Sequence, residues 1–125
     1  MKIKSVMSIK AIVVFFFGLG FLFITDTLMD LYGMNLNSGG ITTGKLLGQM
    51  YILISLLLWL CRNTTDTNTK KAFAISVTIG DAVGTVVCLL AVLSGAMNAF
   101  GWSAVAIYLL LTLGFGYFLL KPNSA

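Results

Sequence analysis

Hydrophobic positions fill four stretches of the chain, residues 11–24, 46–61, 72–93 and 99–120, and short polar segments separate them. The runs are continuous and do not alternate with polar residues. A hydrocarbon core roughly 30 Å thick is crossed by about 20 residues of helix. Counting amphipathic flanks, the pattern predicts spans over residues 9–32, 42–61, 70–93 and 99–120. A bilayer offers backbone groups no hydrogen-bond partners, so a spanning chain must be helical or a closed barrel, and the lack of alternation excludes the barrel. The expected fold is all-α: one domain over residues 1–125, an integral membrane four-helix bundle in up-down-up-down order.

Stop signals punctuate the pattern where these spans should end. Gly33 is followed by Asn35, Asn37, Ser38, Gly39 and Gly40; residues 63–69 are all polar; Ser94 and Gly95 end the third span, Asn98 is placed to cap the fourth, and Pro122 terminates it. Connections this short predict that sequential helices are antiparallel neighbours. Tyr32 and Trp102 fall at one proposed interface and Trp59 and Tyr117 at the other, where amphipathic rings prefer to sit. The first span has the basic head of a secretory signal, but no small-x-small cleavage pattern follows and the helical pattern runs on to Gly33, so it reads as an uncleaved helix.

Composition agrees with burial in lipid. Hydrophobic residues make up 58% of the 125 and charged residues 10%, with a mean hydropathy of +0.99. Soluble domains carry about 25% charged residues. The charges that exist are asymmetric: Lys2, Lys4, Lys10, Arg62, Lys70, Lys71 and Lys121 flank one side of the predicted spans, and only Lys45 lies on the other. By the positive-inside rule both termini and the middle loop are expected in the cytoplasm. The net charge of +4 is then a topology signal and gives no reason to expect nucleic acid as a partner.

Small residues supply the packing signal. Ala72, Ser76, Gly80, Gly84 and Cys88 recur every four residues along the third span, and Gly44 and Gly48 share that spacing at the start of the second. Such ridges let helix backbones approach closely in lipid, and they are read here as seats between helices of one bundle rather than as a homodimer seam.

Polar residues inside the spans are the candidate functional positions. Asp81 lies ten residues beyond Lys71, about 15 Å of helix rise. Nothing basic is expected at its depth, so its carboxyl should be protonated, hydrated in a cavity, or held by several donors. Thr78, Asp81 and Thr85 share a helix face, and Gln49, Tyr108 and Thr112 are candidate donors toward it. A packing node and a proton or ligand site are equally open readings. Asp26 and Asp30 stand one turn apart near the far end of the first span, with Lys45 as expected ion-pair partner; the alternative is the mouth of a cation pathway.

Chemistry is narrowed by what is missing from the sequence. There is no His and no Glu, and the two cysteines fall near opposite ends of the predicted spans. No metal site, cofactor fingerprint or catalytic constellation is expected, and the chain does not read as an enzyme. Leu31-Tyr32-Gly33, Leu47-Gly48-Gln49 leading to Trp59, Leu93-Ser94-Gly95 with residues 98–102, and residues 113–117 together resemble a family of small bacterial four-helix membrane proteins of unknown function. That resemblance implies the fold and a bacterial inner membrane, and no catalytic role. The expected function is an accessory subunit or a hydrophobic-ligand or lipid-binding bundle, with membrane lipids, a homo-oligomer or a larger membrane complex as partners. The alternative is a small proton- or cation-coupled transporter using Asp81. Four-helix drug exporters match it in size alone, since their usual first-helix Glu is lacking.

Overall fold

The computed structural model describes residues 2–121, all of whose regular structure is helical. The helices are α1 (Ile3–Phe23), α2 (Thr25–Leu31), α3 (Ser38–Cys61), α4 (Thr67–Leu93) and α5 (Gly101–Leu120). Four of them, α1, α3, α4 and α5, are long and apolar enough to cross a membrane. Pro122 lies outside the described residues.

Helices α3 and α4 start earlier than the hydrophobic pattern predicts because polar side chains cap them. α3 begins at Ser38 because the Asn37 side chain accepts the Gly40 N–H at 2.7 Å, so Gly39 and Gly40 form its first turn. α4 begins at Thr67 because the Asp66 carboxylate accepts from the Thr69 N–H at 2.9 Å and from the Thr69 hydroxyl at 2.6 Å. The first span, expected to be continuous, breaks at Ile24 (φ −134°, ψ 46°). There the Thr25 hydroxyl takes the Phe21 carbonyl, a side-chain bond that competes with the helical ladder and bends it. Gly33, at φ 73°, provides the left-handed turn after α2, and Gly95, at φ 84°, does the same after α4.

Close packing occurs within two hairpins, α1 with α3 and α4 with α5, and α1 meets α5 more sparsely. The expectation that α3 and α4 would also be close neighbours fails: their connection is short, yet they stand apart along most of their length. Glycine explains the tightness of the first hairpin. A Cβ at Gly48 would stand 2.8 Å from the Gly18 carbonyl oxygen, and one at Gly44 would stand 2.5 Å from Thr25 Cγ2, so both glycines seat α3 as the sequence suggests.

The hairpins join at their two ends. At the terminal end, where α1 begins and α5 stops, Ile3, Met7, Leu58, Ala74, Phe115 and Phe118 form the apolar core. At the other end, Asn98 donates its backbone N–H to the Tyr32 carbonyl at 2.9 Å and its amide to the Leu31 carbonyl at 3.0 Å, and Phe100 packs on Tyr32. Asn98 thus clasps the two loops together, and its side-chain oxygen also accepts the Phe100 N–H at 3.0 Å, so it caps the turn that leads into α5, which starts at Gly101 with no side-chain cap from Phe100. Between the core and the clasp the hairpins part.

Candidate functional site

The gap is a cavity of about 830 Å³. Its wall is almost wholly apolar, with Val13, Phe17, Leu57 and Ile107 among its residues and helices α1, α3, α4 and α5 all contributing. Two polar links cross from one hairpin to the other at this cavity. Lys10 on α1 gives its ammonium to both carboxylate oxygens of Asp81 on α4, at 2.6 and 2.8 Å. Tyr51 on α3 and Tyr108 on α5 share a hydrogen bond of 2.6 Å between their hydroxyls.

The Lys10–Asp81 pair corrects the sequence reading twice. Lys10 is not a flanking base: it is 7% exposed, within the buried stripe of α1 made by Ile3, Met7, Val14, Gly18 and Phe21. Asp81, 4% exposed, continues the buried stripe of Ala74 and Val77 on α4. The pair lies about 10 Å of helix rise from the start of α1. The premise that no base shares the depth of Asp81 therefore fails, and with it the argument for a neutral acid. A signal was present in the sequence: Lys10 stands three residues from Met7 and four from Val14, in register with a core stripe.

The other expected donors go elsewhere. Gln49 is exposed on α3 and makes no bond to Asp81. Thr85 donates to the Asp81 backbone carbonyl at 2.8 Å and Thr112 to the Tyr108 carbonyl at 2.8 Å, so both hydroxyls serve their own helices. The Thr78 hydroxyl oxygen is buried without a partner, and it stands beside Gly116 rather than in the cavity wall. Asp26 and Asp30 are exposed on α2 and Lys45 is exposed on α3, and no ion pair joins these three residues.

The small ridge of α4 is likewise divided. Gly84 packs on the Tyr108 ring, where a Cβ would stand 2.8 Å from ring carbons. Ala72, Ser76 and Gly80 are exposed and line the cavity, and an added Cβ at Gly80 would meet nothing within 4 Å. The ridge was expected to seat a helix over its whole length, but α3 stands off from its first half. Small side chains there leave the cavity open on the α3–α4 side.

Among the described residues no cluster of metal-ligating side chains is present. Cys61 and Cys88 are both free thiols. No family model, curated protein or solved structure matches this chain.

Proposed function

We propose that the chain is a non-enzymatic bundle of a bacterial inner membrane that takes a hydrophobic or amphiphilic ligand, most directly a membrane lipid, into the cavity between its hairpins. The observation that carries this reading is the cavity itself: about 830 Å³ with an apolar lining, reached from the side between α3 and α4. An apolar surface of that kind has no use for water, and acyl chains are the commonest apolar filling in a bilayer. Leu53, Leu60, Val86, Leu90 and Leu110 face outward on the spans, which suits surroundings of lipid or a further membrane subunit. The excess of basic residues at the terminal end, which remains after Lys10 is removed from the count, supports a cytoplasmic location for that end by the positive-inside rule.

The test is lipid retained through purification in mild detergent, compared between the parent and Gly80→Trp. That substitution projects a large ring into the opening from a position with free space around it. Expected is stoichiometric lipid or diacylglycerol on the parent and clearly less on the variant. A parent that carries no more lipid than detergent exchange leaves on any helical hairpin would refute the reading.

The ion pair favours a second reading, proton- or cation-coupled transport with Asp81 as the exchanging carboxylate. Intramembrane ionisable pairs mark such pathways. Here the test is pH-driven flux in proteoliposomes. Lys10→Met combined with Asp81→Asn should keep the fold and abolish flux, and a parent inert toward a broad amine and cation panel would refute it.

A further inference from the structure

At the terminal end of the bundle a second concavity of about 310 Å³ is lined by Lys2, Ile3 and Lys4 from the start of α1, by Arg62, Asn63 and Thr64 from the α3–α4 connection, and by Lys70 from α4. The positive-inside rule asks only that bases lie on one side of the membrane. It does not ask that Lys2, Lys4 and Arg62, from two separate segments, converge on one concavity, and among the described residues its lining holds no acid. Arg62 is held in place there: its guanidinium lies 3.9 Å from the centre of the Trp59 ring and donates to the Trp59 carbonyl. A guanidinium has five donors, so most of the fork stays available for phosphate oxygens, with the Asn63 amide and Thr64 hydroxyl as further donors.

Directly inward from this pocket begins the open side of the apolar cavity. Leu58 and Leu57 on α3 lie four and five residues from Arg62, and Ala72 and Phe73 on α4 lie two and three residues from Lys70; all four line the cavity. A phospholipid sets its phosphate at the edge of a hydrocarbon leaflet about 15 Å deep. The rise along α4 from Lys70 to Asp81 is about 16 Å. A chain anchored at the pocket would therefore reach the depth of the Lys10–Asp81 pair. We infer that the basic pocket holds the phosphate of an anionic phospholipid whose acyl chain enters the cavity between α3 and α4. This rests on the lipid-binding reading of the cavity and adds to it the headgroup that is selected. A soluble phosphate would use the pocket and leave the apolar groove without purpose; a second copy of this chain would bring more bases to an already basic end.

The experiment is native mass spectrometry of the full chain from nanodiscs holding equal phosphatidylglycerol and phosphatidylcholine, with diacylglycerol measured in parallel as a lipid lacking phosphate. The parent should retain phosphatidylglycerol about tenfold over phosphatidylcholine. Lys2→Gln with Lys4→Gln, two exposed positions, and separately Arg62→Gln, should bring that ratio near one while leaving diacylglycerol retention unchanged. Equal retention of the two phospholipids by the parent, or a preference that survives both sets of substitutions, overturns the inference. Displacement of phosphatidylglycerol by millimolar inorganic phosphate overturns it also, in favour of a soluble anion. If the parent keeps diacylglycerol but shows no headgroup preference, this inference alone fails; if it keeps neither, the cavity reading fails as well.

Discussion

Asp81→Asn should destabilise this protein far more than its small change in shape suggests. The substitution keeps an acceptor oxygen facing Lys10 but removes the charge that the ammonium is paired with, at 2.6 Å and 8% side-chain exposure. At an effective dielectric of about 20, opposite charges at that separation attract by roughly 6 kcal/mol. Desolvating each ion opposes this by several kcal/mol, so the intact pair adds little against a well-packed apolar replacement. Removing one partner is different, because the desolvation of the survivor is then uncompensated, and the expected loss is about 3–5 kcal/mol. Lys10→Met should cost a similar amount by stranding the carboxylate. Lys10→Met with Asp81→Leu should recover most of it.

The assay is a double-mutant cycle on reversible unfolding in mixed micelles of mild detergent and SDS, which isolates the pairwise coupling. The coupling should exceed about 2 kcal/mol and change little when salt is raised from about 0.05 to 0.5 M, since buried pairs are poorly screened. An exposed pair would contribute about 0–1 kcal/mol and weaken with salt. If Asp81→Asn unfolds within about 0.5 kcal/mol of the parent, Lys10 is not its counter-ion in the folded protein and the argument from geometry is wrong.

Three further outcomes are expected. Gly80→Ala should be neutral or stabilising by up to about 1 kcal/mol, since open space surrounds the position and alanine favours helix, whereas Gly48→Ala should lose roughly 1–3 kcal/mol against the rigid Gly18 carbonyl; equal melts for the two would refute the division of small residues into open and packed sets. Hydrogen bonds from Thr69 hold the Asp66 carboxyl below the usual carboxylate range, so its support of the α4 start is full above the unfolded-state pKa and is lost as pH falls through the lowered folded value; hydrogen exchange at the first turn of α4 should speed up only in strong acid, and an unchanged rate there would contradict it. A reporter fused after residue 125 should be active only in its cytoplasmic form, and a cysteine at Ser38 should be labelled from outside; periplasmic activity of the fusion would reverse the topology.

The spans were legible because a bilayer imposes a simple requirement on length and apolarity, and α3, α4 and α5 end within a few residues of the predicted limits. What the sequence hid was mostly polar. Asp66 and Asn37 looked like loop residues and are helix caps, since one polar side chain can serve either and only its backbone decides. Lys10 looked like a topology signal because it closes a basic cluster, and its place in the core stripe of α1 carried the contrary information. The small ridge of α4 was visible as a ridge, but spacing alone does not say whether a helix or a cavity faces it. Tyr51 was not singled out: a tyrosine within an apolar run carries no local sign of a partner that stands 57 residues away.

The arrangement of contacts explains how so short a chain keeps a cavity open. If apolar packing ran the full length of all helix pairs, the hairpins would close on one another and nothing but side chains would fill the centre. Here the apolar core is confined to the terminal end and the Asn98 clasp to the opposite end, so the hairpins are fixed at both ends and free to bow between them. The two polar links span that interval, and each needs its partner from the other hairpin. An ammonium facing a carboxylate and one hydroxyl facing another hold the hairpins together only at defined points, whereas leucines in those positions would gain from any closer approach. A membrane offers no hydrophobic drive to empty or close such a space, because a lipid chain fills it as well as a side chain does. Sequence economy and an open interior are therefore compatible, provided that the polar links stay few and paired.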